Sequence, residues 1–457
     1  MEFLIPPPAQ EFTGRQLVLL EQSRLDEAIQ QIKDLTHLSS IATASDLEQE
    51  PDRHQKADII VLKILGVAII NQPIDATQLQ ALGTASADTT TPILRIEPEQ
   101  SFYALMDISD RVISEPRSDV AEAISLQYFQ GYRDGVSCLV DQLTQQNNAQ
   151  LVQQGKGLFQ TTATTWADST KVTWGLQATN VVNSRYSGKG IKIAVLDTGF
   201  DLNHPDFQGR TITSKSFVTE RGSLLPVQDL NGHGTHCVGT ACGPMSPKTG
   251  MRYGVAYGAE IYVGKVLNNN PVIPRGFPGE IFQGIEWAIS QGCHVISMSL
   301  GSPRTPGQVH NFYHDVIDRA LQAGSLVIAA AGNDRKNTMG KTAVYTPADA
   351  PAAMAVAAMD TNEQVAAFSS FGDSVAGGQV DLIAPGVDIY SSYISTSGYT
   401  KKNGTSMATP HVAGIAALHA EANPGVRGQA LWSLLIRNAR RLPLSSVDAG
   451  AGLVQAP

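Results

Sequence analysis

Charged residues, cysteines and long apolar runs are all scarce in this chain of 457 residues. Asp, Glu, Lys and Arg make up only 16% of it, and the net charge of −9 disfavours nucleic acid as a partner, because the phosphate backbone attracts basic surfaces. With 42% hydrophobic residues, the composition is typical of a compact protein with a well-buried core and not of a disordered one. We therefore expect no nucleic-acid partner.

The four cysteines are too few and too irregularly spaced for a disulfide framework. They are Cys138, Cys237, Cys242 and Cys293. We favour reduced, packed thiols, and the alternative is a bridge that involves Cys237 or Cys242.

Membrane and secretion signals are also lacking. The most apolar stretch, residues 58–70, contains Lys63 and is too short to cross a bilayer. The N-terminus has no cationic segment followed by an apolar core, which a secretory signal would need. We expect no membrane partner and a cytoplasmic location, or secretion if the native start has been trimmed.

What the chain does contain is a serine in a tight, glycine-flanked turn. Residues 403–414, NGTSMATPHVAG, place Ser406 at the start of a helix of small residues. A hydroxyl at a helix start lies beside free backbone N–H groups, so a nucleophile and donors for an oxyanion can come from one turn. This segment predicts acyl transfer.

Two upstream segments supply the base and the acid that a serine nucleophile needs. Residues 191–199, IKIAVLDTG, predict a buried strand that ends on Asp197, and residues 231–240, NGHGTHCVGT, place His233 between two glycines before a helix. Taken alone, Asp197 is more simply a turn former, His233 a core histidine and Ser406 a helix N-cap. Their joint occurrence favours catalysis.

These three segments resemble the signatures of subtilisin-like serine proteases, in the same chain order of Asp, His and Ser. The resemblance implies an α/β fold, with a three-layer, parallel-sheet catalytic domain over residues 166–457. It also implies a serine endopeptidase in which His233 takes the proton of Ser406 and Asp197 orients the imidazole. By the same similarity, Asn333, after the apolar run 327–331, supplies the side-chain amide of the oxyanion hole.

The resemblance also assigns the walls of a substrate cleft, where an extended peptide would bind by strand addition and be cleaved broadly after apolar residues. Tyr345 is expected near the pocket floor, where many relatives carry a smaller residue, so a preference for a narrower or more polar side chain stays open. The predicted wall residues are Ser299, Leu300 and Gly301 on one side and Ala330, Ala331 and Gly332 on the other.

No metal is expected for the chemistry. The pair His233 and His236 is a weak zinc signal, and we interpret His236 as structural. Where many relatives carry a calcium loop, residues 243–253 read GPMSPKTGMRY and offer no acidic ligand. Asp206 and Asp381 could support a weaker structural calcium site, although turn and strand-end roles also explain them.

The remaining sequence predicts three further parts. Residues 15–107 follow a β-α-β-β-α-β-like order and predict a small α+β, ferredoxin-like domain that resembles the family's inhibitory propeptide; an unrelated accessory domain is the alternative. Residues 108–165 predict a helical linker, with a processing region near 144–165. Residues 1–14 form a tail in which Leu4-Ile5-Pro6 resembles a cleft-blocking stretch of intracellular subtilisins, and a plain proline-rich tail is the alternative.

We therefore expect an autoinhibited zymogen that acts on polypeptides and is inhibited by its own N-terminal domain. The competing class is a catalytically silent subtilase used as a peptide-binding or scaffold protein. A lipid or ester hydrolase is disfavoured, because the Gly-x-Ser-x-Gly elbow is lacking and the chain order differs.

Overall fold

The computed structural model describes residues 12–43, 46, 57–105, 165–304, 311–335, 343–372 and 378–457. Those from 12 to 105 and from 166 onward belong to one compact unit. The predictions for Leu4-Ile5-Pro6, for the linker and for Cys138 concern positions outside the described residues.

The N-terminal region folds as predicted into a sheet backed by two helices. β1 (Phe12–Leu20) leads through a 3-10 turn (Gln22–Arg24) to α1 (Leu25–Thr36), which is followed by β2 (Ile41–Thr43), β3 (Ile59–Leu62), β4 (Val67–Ile70), α2 (Ala76–Ala87) and β5 (Ile93–Gln100). The sheet order is β2-β3-β4-β1-β5. Apart from the short β2, this is the ferredoxin-like order.

The stretch from Ile59 to Ile70, which reads as one apolar segment in sequence, is an antiparallel hairpin. It turns at Gly66, whose φ of 56° lies in the left-handed region that glycine adopts without steric cost. Both strands are buried along their whole length. The sequence signal was a continuous apolar run because both faces of this hairpin are covered.

The larger region is built around a parallel sheet, as predicted, and the sheet has seven strands. Its strands in spatial order are β17 (Leu382–Pro385), β16 (Met354–Met359), β15 (Leu326–Ala330), β13 (Val295–Met298), β7 (Lys192–Asp197), β11 (Glu260–Lys265) and β8 (Ile212–Ser216). The central strands β13, β15 and β16 are buried along their whole length, which is typical of a parallel sheet with helices on both faces.

Helices and short strands surround this sheet. The helices are α3 (Trp174–Ala178), α4 (His233–Cys242), α5 (Pro278–Ser290), α6 (Asn311–Gln322), α7 (Thr405–Ala422), α8 (Gly428–Asn438) and α9 (Ser446–Ala449), with 3-10 turns at Val181–Asn183 and Pro205–Phe207. The short strands are β9 (Thr219–Glu220), β10 (Ser223–Leu224), β12 (Arg275–Gly276), β14 (Leu300–Gly301), β18 (Ile389–Ser392) and β19 (Tyr399–Lys402). Within the described residues, none of the helices combines the length and the hydrophobicity that crossing a bilayer requires.

A three-stranded sheet joins the two regions. β6 (Phe102–Ala104), the last strand of the N-terminal region, lies between β12 and β14 of the larger region and pairs with both in antiparallel fashion. In register, Ala104 pairs with Leu300 and Tyr103 pairs with Gly301. This arrangement places the residue that follows β6, Leu105, at the carboxyl edge of the parallel sheet.

Candidate active site

The acid and the histidine predicted from sequence are hydrogen-bonded. His233 Nδ1 donates to Asp197 Oδ1 at 2.8 Å, and both side chains are fully buried. A carboxylate only accepts, so this bond places the proton on Nδ1 and leaves Nε2 with its lone pair. Within the described residues, Nε2 has no hydrogen-bond partner. The histidine is thus in the tautomer that can accept a proton.

Asp197 ends β7 and His233 begins α4, and glycines allow the two to approach. Gly234 packs against the turn after Asp197 so closely that a Cβ would lie 2.3 Å from the Gly199 oxygen. Gly232 has a φ of 94° and lies against the ring of Tyr393, where a Cβ would overlap the ring. The Gly-His-Gly string is therefore a steric requirement of this loop.

Asp229, a residue that sequence reasoning missed, shapes the same loop. Its buried carboxylate accepts backbone N–H bonds from Asn231, Gly232 and Thr235 at 2.8 to 2.9 Å. It also accepts the hydroxyl of Thr198, the residue after the triad acid, at 3.0 Å. The only sequence signal was its position two residues before the conspicuous histidine motif.

Ser406 lies in the first turn of α7, as predicted, and is fully buried. Its Oγ is 2.7 Å from the carbonyl oxygen of Leu105 and 3.1 Å from that of Ser299. The described residues show no direct hydrogen bond between Ser406 and His233; the hydroxyl is turned toward Leu105. Cys237 lies between these two residues: its Sγ is 4.0 Å from His233 Nδ1 and 3.6 Å from the Ser406 carbonyl oxygen.

A proline inside α7 leaves the carbonyl of Ser406 available. Pro410 lies four residues later and has no N–H with which to close the helical bond. Ser299 Oγ donates to that carbonyl instead, at 2.8 Å. The predicted nucleophile is thus held to the predicted cleft wall.

Asn333 is placed as an oxyanion donor would be. Its Nδ2 donates to the Leu105 carbonyl oxygen at 2.8 Å. Its Oδ1 accepts from the backbone N–H and the hydroxyl of Thr405, at 3.0 and 2.8 Å, which fixes the orientation of the amide. Thr405, whose role sequence reasoning also missed, therefore aims the amide at the carbonyl that Ser406 approaches.

The comparisons with known proteins agree with this geometry. The Subtilase family matches residues 188–453. The chain belongs to the subtilase family. It is 41% identical over 293 residues to Subtilisin BL of Lederbergia lenta, which covers 62% of this chain and 97% of that protein. It is 40% identical over 301 residues to an alkaline protease of Shouchella clausii, covering 64% of this chain and 70% of that protein.

Family membership confirms the predicted fold class and enzyme class of this subtilase. Subtilases are serine endopeptidases, and their catalysis needs no cofactor. The residues that the three motifs assigned, Asp197, His233 and Ser406, all fall within the matched range.

The predicted cleft walls lie around the last residues of the N-terminal region. The Leu105 N–H donates to the Ser299 oxygen at 3.3 Å, and its buried side chain forms an apolar cluster with Ala330 and Tyr345. Ala331 belongs to the same wall, because its oxygen accepts the Tyr345 N–H at 2.9 Å. Gly332 has a φ of 116°, and a Cβ there would lie 2.8 Å from the Tyr345 ring.

Tyr345 is anchored by a partly buried acid. Its hydroxyl donates a short hydrogen bond to Asp334 Oδ2. Burial raises the pKa of the Tyr345 hydroxyl, and the charge of Asp334 raises it further. Burial also raises the pKa of Asp334, against the effect of this hydrogen bond. The ring therefore occupies a fixed place beside the Leu105 side chain.

The described cysteines are free and buried, as favoured from sequence: Cys237, Cys242 and Cys293. Burial and the charge of Asp197 raise the pKa of the Cys237 thiol well above its ordinary value, so the thiol stays protonated. His236 points away from the triad and is 2.8 Å from the Ile389 oxygen through Nε2. Burial lowers the pKa of His236, which fits a neutral, structural residue.

The two candidate calcium ligands are already engaged by protein donors. Asp206 accepts from the Lys248 N–H at 2.7 Å, the Tyr253 hydroxyl at 2.7 Å and the Tyr399 hydroxyl at 3.0 Å. Asp381 accepts from the Ala355 N–H at 2.8 Å. Burial raises the pKa of Asp381 to about 7. Calcium needs several oxygen ligands around it, whereas hydrogen-bond donors surround the Asp206 carboxylate.

Proposed function

We propose that this subtilase is a serine endopeptidase in which Ser406 is the nucleophile, His233 the general base and Asp197 the group that orients the base. One observation carries the assignment. The carbonyl oxygen of Leu105 lies 2.7 Å from Ser406 Oγ and 2.8 Å from Asn333 Nδ2. A peptide carbonyl is therefore held between the nucleophile and an oxyanion donor.

The first chemical step follows from this placement. Ser406 Oγ forms a bond to the carbonyl carbon of Leu105, and its proton passes to Nε2 of His233. The carbonyl π electrons move to the oxygen, which becomes an oxyanion and is stabilised by the Asn333 amide. Asp197 stabilises the imidazolium through the bond to Nδ1. These residues therefore act together on one peptide bond.

The second step breaks the bond between Leu105 and Met106. As the oxyanion collapses, the carbonyl carbon releases the Met106 nitrogen, which takes the proton from His233. An acyl-enzyme remains on Ser406, and water, deprotonated by the same histidine, hydrolyses it. The products are the Leu105 carboxyl group, the Met106 amine and the regenerated enzyme.

The N-terminal region is, in this proposal, both first substrate and inhibitor. β6 fills the place of an extended substrate between β12 and β14. After cleavage the same backbone pairing would keep the new Leu105 carboxyl end in the cleft. We accordingly place the first processing event at Leu105–Met106, upstream of the region near residues 144–165 that the linker pattern favoured.

A second contact, on α5 and α6, supports the inhibitor role. Glu99 accepts the N–H of Gly279, at the start of α5, at 2.7 Å, and Arg15 bridges Glu99 and Glu280. Glu286 accepts the N–H groups of Ile64 and Leu65, both at 2.9 Å. These bonds hold the body of the N-terminal region beside the cleft.

Arg319 of α6 adds to this contact. It donates to the carbonyl oxygens of Leu20 at 3.0 Å and Gly66 at 3.1 Å. Such charge-assisted bonds between partly buried groups are stronger than neutral ones. The N-terminal domain can therefore stay bound after its link to the enzyme is cut.

For specificity we propose cleavage after aliphatic residues of leucine size. The Leu105 side chain is 6% exposed and is enclosed by Ala330 and Tyr345. Because Asp334 fixes the tyrosine ring, the pocket has little room for an aromatic side chain. The proposed preference is narrower than the broad cleavage after apolar residues that we expected from sequence. The substrates remain polypeptides.

We also infer that neither Asp206 nor Asp381 is a calcium ligand. Asp206 receives three hydrogen-bond donors from two segments of the chain: the Lys248 N–H and the Tyr253 hydroxyl from residues 243–253, and the Tyr399 hydroxyl from β19. The unfolding temperature of the protein measured with calcium should therefore equal the one measured with a chelator.

The cytoplasmic location of the protein stays a prediction.

Labelling with a fluorophosphonate tests the proposed function against the silent-subtilase alternative, which no contact favours. The wild-type chain, once processed, should form a covalent adduct and hydrolyse a leucine peptide. Ser406→Ala should do neither, and Ser446→Ala, in the distant helix α9, is the matched control. A wild-type chain that forms no adduct at any stage would contradict the proposal.

A further inference from the structure

A fully buried lysine lies beside the triad. Lys265 is the last residue of β11 and is the register partner of Asp197, the last residue of β7. Its side chain is 0% exposed. Lysine is rarely buried completely unless its ammonium is paired, so this one needs an explanation.

The ammonium of Lys265 connects the two segments that carry the acid and the base. It donates a short hydrogen bond to the carbonyl oxygen of Thr198, the residue after Asp197. It also donates to Asn269 Oδ1 at 2.8 Å, and that oxygen accepts the N–H of Leu230 in the loop before His233. The Lys265 ammonium therefore connects the turn after Asp197 to the loop before His233.

The charges around this ammonium are mostly negative. Asp197 and Asp229 are buried, and the exposed Glu220 also acts on it; His233 lies beyond Asp197. Burial lowers the pKa of Lys265 to about 8, and the attraction of Asp229, Asp197 and Glu220 opposes that decrease. Two oxygen acceptors and the neighbouring carboxylates thus favour the charged form of this enclosed lysine.

We propose that Lys265 is a positioning residue of this active site, which holds the Asp197 turn in place and offsets the negative charge of Asp197 and Asp229. Without this cation, two buried carboxylates would act on His233 and stabilise its protonated, inactive form. The inference rests on the proposed roles of Asp197 and His233. Lys265 touches neither Ser406 nor the Leu105 carbonyl, so it acts through the acid.

Three substitutions separate the hydrogen bond from the charge. Lys265→Met removes both, Lys265→Gln keeps a donor without the charge, and Lys265→Arg keeps both. Lys192→Met is the matched control, because Lys192 begins the same β7 strand and donates to the distant Gln291 oxygen. Hydrolysis of a leucine peptide is measured from pH 5 to 7.5, and rates are divided by the sites titrated with fluorophosphonate.

We expect Lys265→Met to lower kcat about tenfold or more with little change in KM. Because a nearby cation has been lost, the acid limb, which is the rise of kcat/KM on the acid side of the pH profile, should move upward by about 0.5 pH unit. Lys265→Gln should move the limb by a similar amount with a smaller loss of kcat. Lys265→Arg should restore most of both, and Lys192→Met should change neither.

An unmoved acid limb in both neutral variants would overturn the inference, whatever happens to kcat, because a purely structural lysine would leave the limb in place. Failure of both neutral variants to give titratable sites would also overturn it in favour of a folding role. If the wild-type chain itself gives no titratable sites, the proposed function fails instead. The two failures are thus distinguishable.

Discussion

Two contacts join the N-terminal region to the catalytic domain, and they differ in chemistry. In the cleft, β6 and Leu105 are held mainly by backbone bonds to β12, β14 and Ser299. On α5 and α6, the contact depends on charged side chains, with Arg15 bridging Glu99 and Glu280. Backbone pairing accepts any extended peptide, whereas the charged contact depends on particular side chains of this domain. Cleavage and release should therefore respond to different residues.

The largest expected effect concerns the cleft. Asn333→Ala removes the donor to the Leu105 oxygen and should lower kcat about 10²- to 10³-fold with KM nearly unchanged, a magnitude borrowed from the oxyanion-hole asparagine of subtilisin. Steady-state hydrolysis of a leucine peptide measures it. Asn438→Ala, at the end of α8, is the control. Equal turnover in Asn333→Ala and wild type would remove Asn333 from the mechanism.

The next effect concerns the charged contact. Arg15→Met leaves Glu99 and Glu280 buried without their cation, and breaking a buried pair costs roughly 3 kcal/mol or more. The full chain should still be cut at Leu105, but activity should appear roughly 100-fold sooner after the cut. Arg24→Met is the control, because Arg24 pairs with Glu21 and Glu27 and donates to the Thr90 oxygen, all within the N-terminal domain. An unchanged lag after cleavage would show that the cleft alone retains the inhibitor.

The third effect sharpens what the cleft recognises. Tyr345→Ala should enlarge the pocket beside Leu105. The ratio of kcat/KM for a phenylalanine peptide to kcat/KM for a leucine peptide should rise by about tenfold, which is the discrimination expected when a pocket gains room for a few methylene groups. Tyr345→Phe removes only the bond to Asp334 and should shift the ratio much less. A ratio that Tyr345→Ala leaves unaltered would mean that the ring does not limit the pocket.

The last prediction concerns Asp381, which lies outside both contacts. Its substitution should have the smallest effect on activity and should change stability instead. Because burial raises the pKa of Asp381 from 3.8 to about 7, the folded state holds a proton that the unfolded state has lost between these values, and stability falls as pH rises through this window. Asp381→Asn has no carboxyl group to titrate at this position, so this decrease of stability with pH disappears. Relative to wild type, it should gain stability between pH 4 and pH 7, by at most about 4 kcal/mol. Urea unfolding at pH 4.5 and 8 measures the difference, and an equal difference at both pH values would contradict it.

The catalytic residues that we propose could be read from the sequence, whereas the residues around them could not, for a physical reason. Asp197, His233 and Ser406 each sit in a short string whose glycines are required by local packing, so the strings can be read directly. Asp229 and Lys265 act through strand register and loop closure across the sheet. No local pattern marks such partners, and they were missed.

The same contrast separates the two regions. In the N-terminal region, the β-α-β-β-α-β-like order was predicted, but the apolar stretch 58–70 did not show where its hairpin turns. The docking bond from Gly279 to Glu99 joins residues far apart in sequence, with no motif at either end. Leu105 carries no signature of its own, because its partners Ser299, Asn333 and Ser406 lie far from it in sequence. Its place opposite Ser406 could be found only from the structure.

Intact-mass measurement of the full chain during incubation tests the central claim most directly. We predict that the first products are two fragments, residues 1–105 and residues 106–457, and that Ser406→Ala stays whole. A first cut elsewhere, such as between residues 144 and 165, or cutting that persists in Ser406→Ala, would contradict the placement of Leu105 as the first substrate of its own protease.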